Sequence, residues 1–254
     1  MAQIISICSQ KGGVGKSTSA INLLSYLAAM GKYVLLVDLD PQANATSGVG
    51  VNPEKTPLSL YHSLIGGILP EEIIRKTELF GYDLMPSSPD LAGAHIELVS
   101  LPNREFQLYE IVRRVRTNYD YILIDCPPSL GLLTVNGLVA ADEVIIPVQC
   151  EYYALEGLGQ LLKTIELVHE NLGRHLKIKG ALLTMYDRRQ KLSRQVRKEV
   201  ERNFPGYVFE NIIPRCVKLA EAPSFGKTIL QYDPHSKGAR AYQRLAQEII
   251  KLEK

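Results

Sequence analysis

The sequence predicts an α/β protein with a mostly parallel, twisted sheet and helices on both faces. Three observations carry this. Strand-like and helix-like segments alternate along the chain. The strand-like runs, such as Val34-Leu35-Leu36-Val37, are apolar throughout rather than alternating, as strands covered on both faces require. A glycine-rich loop joins the first apolar run to the first helical pattern. Hydrophobic residues make up 46% of the 254, enough for a sizeable core. No Pro-, Gly- or Ser-rich linker and no repeat interrupts the chain, so residues 1–254 are expected to form one domain.

The first strand is Ile4–Cys8, and the first helical pattern runs over Ala20–Leu27. Between them, residues 9–18 read Ser-Gln-Lys-Gly-Gly-Val-Gly-Lys-Ser-Thr. Strand, glycine-rich loop and helix start make a phosphate cradle, because open N–H groups and the helix dipole favour an anion there. Gly12, Gly13 and Gly15 permit tight turning and close approach to phosphate oxygens. In such a loop Lys16 reaches the β- and γ-phosphates and Ser17 offers its hydroxyl to Mg²⁺. This predicts a P-loop NTPase-like fold. The usual pattern would place glycine at position 10; Gln10 stands there, and Lys11 is an additional cation.

Tyr33–Asp38 is the second strand and runs into Asp38-Leu39-Asp40-Pro41. Carboxylates at the C-terminal end of a parallel strand lie where such sheets place ligands. Short helices are expected over Leu58–Leu64 and Glu71–Arg75, a strand over Tyr82–Pro86, and helices over Leu91–Leu101 and Glu105–Val115. No chemistry is expected from residues 47–104. Tyr121–Asp125 is a further buried strand ending in an acid, stopped by Cys126-Pro127-Pro128. That is the Walker-B arrangement, able to hold Mg²⁺ directly or through water, and the diproline could sense a γ-phosphate.

Glu143–Val148 and Ile178–Met185 are strands, and Ala154–Leu172 is a long amphipathic helix. Asp187–Lys198 is the most cationic stretch. Arg194, Arg197 and Lys198 share a helical face, while Leu192, Val196 and Val200 are expected to face the core. The basic face could meet a duplex or a membrane surface, or simply be solvated beside Glu199 and Glu201. A turn-rich run after Pro214-Arg215 adds Lys218 and Lys227. In the last helix, Ser236–Leu252, the stripe Ala239, Tyr242, Leu245, Ala246, Ile249 and Ile250 is expected to pack on the core.

A net charge of +2 excludes whole-molecule attraction to nucleic acid, so any such binding needs a local patch. Cys8, Cys126, Cys150 and Cys216 show no C-x-x-C spacing, and because three of them sit in apolar strand-like settings they read as buried, reduced thiols. With no cationic leader and no long uncharged apolar run, a soluble cytoplasmic protein is expected.

Lys11–Thr18, Asp38-Leu39-Asp40-Pro41-Gln42, Asp125–Gly131 and Cys150–Gly157 together resemble the ParA/Soj family of deviant Walker-A partitioning ATPases. Pro214-Arg215 and Glu221-Ala222-Pro223-Ser224 match it as well. The resemblance spans nearly the whole chain and implies a chromosomal-type member. It implies that Lys11 reaches a partner subunit's nucleotide phosphates in a homodimer and that Gly12 permits close approach of the subunits. It implies ATP and Mg²⁺ as cofactors, held by Gly13, Val14, Gly15, Lys16, Ser17 and Thr18. Asp40 would position the attacking water, Asp38 and Asp125 would support Mg²⁺, and Met185, Pro214 and Arg215 would lie near the adenine. Non-specific double-stranded DNA would be bound through Arg188, Arg189, Arg194, Arg215, Lys218 and Lys227. A ParB/Spo0J-type centromere-binding protein would be the partner, and the location would be the nucleoid. Three residues depart from the family pattern: Ser9 where Asn is common, Ala43 where Gly is frequent, and Cys216 where Asn is frequent.

The nearest alternative is a MinD-like ATPase on a membrane, for which the Glu-bearing end Gln243–Lys254 is a poor anionic-lipid anchor. An iron–sulfur reductase subunit would need bridging cysteines, and Cys126 is badly placed beside Asp125. A ligase of cofactor synthesis shows no substrate-specific motif.

Overall fold

The computed structural model describes residues 2–151 and 154–253, with the side chains of all but 154–156. The centre of the family-like stretch Cys150–Gly157, at Tyr152 and Tyr153, lies outside the described residues. Seven strands form one sheet: β1 (Gln3–Ile7), β2 (Val34–Asp38), β3 (Arg75–Lys76), β4 (Tyr82–Met85), β5 (Tyr121–Asp125), β6 (Glu143–Gln149) and β7 (Lys177–Thr184). Their order across the sheet is β3-β4-β2-β5-β1-β6-β7. Every pairing is parallel except β3 with β4 at the edge. The parallel register sets Ile7 and Asp38 each opposite Asp125, so the carboxyl ends of β1, β5 and β2 lie level.

The helices follow as α1 (Lys16–Ala29), α2 (Asn44–Gly48), α3 (Leu60–Gly66), α4 (Pro70–Ile73), α5 (Ala94–Glu97), α6 (Gln107–Val115), α7 (Leu132–Ala140), α8 (Ala154–Leu172), α9 (Lys191–Asn203), α10 (Val217–Glu221), α11 (Ile229–Tyr232) and α12 (Lys237–Leu252). The sheet separates two apolar cores, and successive strand residues alternate between them. Ile5, Leu36, Leu123 and Leu182 join α1 and α12 on one face. Ile4, Leu35, Ile124, Val144 and Leu183 join α6, α7, α8 and α9 on the other. The expected α/β sheet with both faces covered is therefore the observed one.

Several local expectations are corrected. Arg75 belongs to strand β3 and not to a helix, because Ile74 is extended and Lys76 pairs with Asp83 of β4 at 3.2 Å. Leu91–Leu101 is no single helix; Pro89, Gly93 and Pro102 confine it to α5 between short 3₁₀ turns. Leu192 does not face the core: it is 39% exposed, while Val196 and Val200 are buried as expected. In α12 the stripe is buried apart from Ile250, which is partly buried against the same core, with Tyr242 OH 3.0 Å from Ser19 Oγ of α1.

Helix α7 escaped the sequence reading. Its Asn136-Gly137 pair looks like a turn but lies inside the helix. Asn136 is fully buried; its amide donates to Arg104 and Leu132 carbonyls, and its Oδ1 accepts from Leu108 N–H. Gly137 sets how closely α7 approaches the sheet, since a Cβ there would lie 2.6 Å from Cys126 Sγ and 3.1 Å from Leu39 Cδ2. On a solvated helix Gly→Ala gains about 1 kcal/mol of propensity, whereas overpacking a core costs about 1–3 kcal/mol. Gly137→Ala should therefore lower the thermal midpoint, at about 2–4 °C per kcal/mol lost in a chain of this size. A raised midpoint in a melting experiment would show that α7 is free to move outward.

Candidate functional site

The loop after β1 turns through two left-handed glycines, Gly13 (φ 72°) and Gly15 (φ 90°), and α1 starts at Lys16. No side chain caps this helix, so the first-turn N–H groups face the loop as a ready anion site. Thr184 at the end of β7 donates its hydroxyl to the Val14 carbonyl at 2.8 Å and pins the loop from outside. The Val14 side chain is itself buried in the core, which leaves only its backbone to the site. Lys16 is buried, with Nζ 3.5 Å from the Lys11 carbonyl oxygen. Lys11 points the other way. Its ammonium lies 3.4 Å from Glu151, and the side chain is 40% exposed.

Asp38 and Asp125 are both fully buried. Asp38 is already engaged: Thr46 N–H and hydroxyl each donate to Oδ2 at 2.7 Å, and Asp40 N–H donates to Oδ1 at 3.2 Å. Burial raises its pKa to about 6, against the lowering by these donors. Asp125 differs. Neither carboxylate oxygen has a hydrogen-bond partner of normal geometry. Burial, and then the charge of Asp38, push its pKa well above the carboxylate range, while nearby Ser17 and Lys16 pull it down. A buried acid with two free oxygens beside a serine hydroxyl is the donor set a hard divalent cation takes. Asp40, 6% exposed, accepts from Gln42 N–H at 3.0 Å.

Two cavities adjoin the loop. One, of about 380 Å³, is lined by Gly12, Gly13, Gly15, Lys16, Ser17 and Thr18 together with Asp40, Pro128 and Met185. The other, of about 360 Å³, is mostly apolar and is lined by Met185, Pro214, Arg215, Cys216, Leu219 and Tyr242. They share Gly15, Thr18, Met185, Leu219 and Ala220. An anion cradle that opens into an apolar slot suits a phosphorylated ligand with a flat apolar end. Two non-glycine residues bordering the region hold left-handed backbone, Met185 (φ 51°) and Ala43 (φ 52°). At Ala43 the chain bears strain that a glycine would avoid.

The sequence-predicted cations fall into two groups. Arg189 is bidentate with Asp187 (3.1 and 3.0 Å), Arg215 pairs with Glu151 (3.4 Å), and Lys218 pairs with Glu221 (2.9 Å). Arg188, Arg194 and Lys227 are exposed and form no ion pair among the described residues. Arg197 is tied to Glu201 at 2.6 Å.

Residues 47–104 do contribute, contrary to expectation. Ser87, just past β4, donates its hydroxyl to the Asp40 carbonyl at 2.7 Å and its N–H to Thr46 Oγ1 at 2.9 Å. Thr46, Ser87 and Thr184 thus hold the acidic and glycine-rich loops in place. The available signal was position, since each lies at or within a few residues of a parallel strand's carboxyl end.

A family model described as an AAA domain matches residues 2–178. The chain is 51% identical over 251 residues to the chromosome partitioning protein ParA of Myxococcus xanthus, covering 99% of this chain and 89% of that one. It is 52% identical to the sporulation initiation inhibitor protein Soj of Bacillus subtilis, with 98% of both chains covered. Among solved structures, cobyrinic acid a,c-diamide synthase from Mycobacterium smegmatis, with bound ADP and magnesium, superposes with TM-score 0.87 at 38% identity, covering 99% of this chain and 95% of that one. Full-length identity at this level, on a sheet and loop of this form, places the chain in the ParA/Soj family of chromosome-partitioning proteins.

Proposed function

We propose that residues 1–254 act as one ATP-driven switch that grips DNA as a dimer and lets go on hydrolysis. In this reading ATP fills the two adjoining cavities, with its phosphates on the Gly13–Thr18 loop and its base near Met185, Pro214 and Arg215. Ser17 and Asp125 hold Mg²⁺, which neutralises phosphate charge; Asp38, tied to Thr46, supports them from behind. Asp40 orients the attacking water. Lys11 of each subunit completes the site of the other.

The observation that carries the proposal is the outer face of the loop. Gly12 is exposed, has ordinary backbone, and a Cβ there would meet nothing of its own chain nearer than Pro128 at 4.0 Å. Its own fold does not need glycine at 12, whereas left-handed Gly13 and Gly15 do. A neighbour closing on that face would need it, and the adjacent Lys11 side chain is partly exposed. Gly12→Val should fold as the parent does yet stay monomeric at AMPPNP concentrations that saturate it, read by light scattering with nucleotide binding measured alongside, since Gly12 also lines the phosphate cavity. A variant that dimerises normally would remove this face from the interface.

Phosphoryl transfer of this kind rests on positioning and charge. A lone subunit lacking the second lysine should therefore be nearly inert. Asp40→Ala should retain ATP and accumulate as dimer, with turnover reduced at least about 100-fold. Unchanged turnover would take Asp40 out of the chemistry.

DNA is the surface proposed for the dimer, stimulated in its release by a ParB-type partner, with the nucleoid as its location. Burial of most of the α12 stripe supports DNA over a membrane, since that helix keeps no broad apolar face for lipid. Partitioning is preferred to the amide-forming chemistry in the name of the Mycobacterium structure because the partitioning relatives are 51–52% identical, against 38%. The unpaired Arg188, Arg194 and Lys227 are the first candidates for phosphate contact. Removing one contact per subunit removes two per dimer. Arg194→Ala should then flatten the log–log salt dependence of DNA binding by about 2, at roughly 0.9 per contact, with Arg189→Ala doing less because Asp187 already shares its charge. Equal slopes for Arg194→Ala and the parent would move the patch elsewhere.

A further inference from the structure

Glu151 has no part in the nucleotide site as described, yet it touches both outward-facing cations of that site. It sits just beyond β6, the strand between β1 and β7. From the middle of three strand ends one carboxylate reaches both sides. Oε2 lies 3.4 Å from Lys11 Nζ on the loop after β1, and Oε1 lies 3.4 Å from Arg215 Nη2, on a segment beyond α9 that hydrogen-bonds alongside the end of β7. The Gln149 side chain donates to Oε1 at 2.7 Å and aims the carboxylate. All three charged side chains are about half exposed, at 40%, 44% and 56%.

We propose that Glu151 is a positioning residue that holds Lys11 and Arg215 back in the lone subunit, so that the dimer closes only by exchanging this carboxylate for a nucleotide's phosphates. The inference rests on the dimer reading above and adds a threshold to it. A single carboxylate binds Lys11 weakly at this exposure. A triphosphate carries several negative charges and outcompetes it, whereas a diphosphate, with one phosphoryl group fewer, does so less well. Glu151 thus raises the charge a nucleotide must present before the lysine moves across. Arg215, tied to the same carboxylate, is released in the same step. One residue therefore links nucleotide state to two cations on different segments of the chain.

The pairs are long and exposed, so Glu151 biases the equilibrium rather than locking it. Losing them should favour release about two- to fivefold per subunit. A symmetric dimer releases two copies, so the dimerisation constant should rise by the square, about 4- to 25-fold.

The test is sedimentation of the full chain with Mg²⁺ and the non-hydrolysable analogue AMPPNP, or with ADP, across a protein dilution series. Glu151→Gln should dimerise with AMPPNP at about 4- to 25-fold lower protein concentration than the parent, and it should show dimer with ADP at concentrations where the parent has none. Glu151→Asp, which keeps the charge, should fall between them. The melting temperature and the AMPPNP affinity of the monomer should match the parent, which separates positioning from damage to the fold. If the parent dimerises and Glu151→Gln does so equally or less well, Glu151 does not restrain the lysine and the inference is overturned. If the parent itself never dimerises with AMPPNP, the dimer reading has failed first.

Discussion

Two buried carboxylates on neighbouring strands set the terms for this molecule. The parallel register makes Asp38 and Asp125 direct partners at the carboxyl end of the sheet, and neither reaches solvent. Like charges at close range in a dry site cannot both ionise without a counter-charge. The fold solves half of this internally, by giving Asp38 three donors from the Thr46 and Asp40 segment. Asp125 receives none of normal geometry, and Ser17 and Lys16 are the nearby groups that favour its charge. In the proposed reading a divalent cation bound with a polyphosphate would supply what remains. The wide apolar investment around the site, with a core on each face of the sheet, keeps these groups at fixed separation.

The glycine-rich loop divides its two lysines by direction. Lys16 turns inward at the helix start, where propagated helix dipole and open N–H groups already favour an anion. Lys11 turns to Glu151 beyond β6 and stays partly exposed. In the proposed reading one loop carries a cation for its own nucleotide and one for a partner's, five residues apart. Around it, half of the predicted cations are neutralised by carboxylates of their own chain, which concentrates the surface charge on the remainder. In the proposed switch, pairing and release of charge carry nucleotide state to the surface.

Much of this was legible in the sequence because the features are local. A strand, three glycines and a helix start specify their own geometry, and apolar runs ending in Asp announce buried parallel strands. What escaped was decided by tertiary contact. Asn136-Gly137 carries turn chemistry, yet a buried hydrogen-bond network and close sheet approach make it helix. Arg75 looked helical, yet an edge strand with Asp83 within reach drew it into the sheet. Ser87 and Thr46 carry no motif, and only the folded chain brings them to the acidic loop. Leu192 fitted an apolar helical face that the neighbouring elements do not cover.

The central claim is that charge balance at the acidic strand ends governs association of two subunits. Its most direct measurement is the solution mass of the protein with AMPPNP, with and without Mg²⁺. The account predicts a dimer only when nucleotide and Mg²⁺ are both present. A protein that stays monomeric with both, or dimerises equally well without the metal, would contradict it.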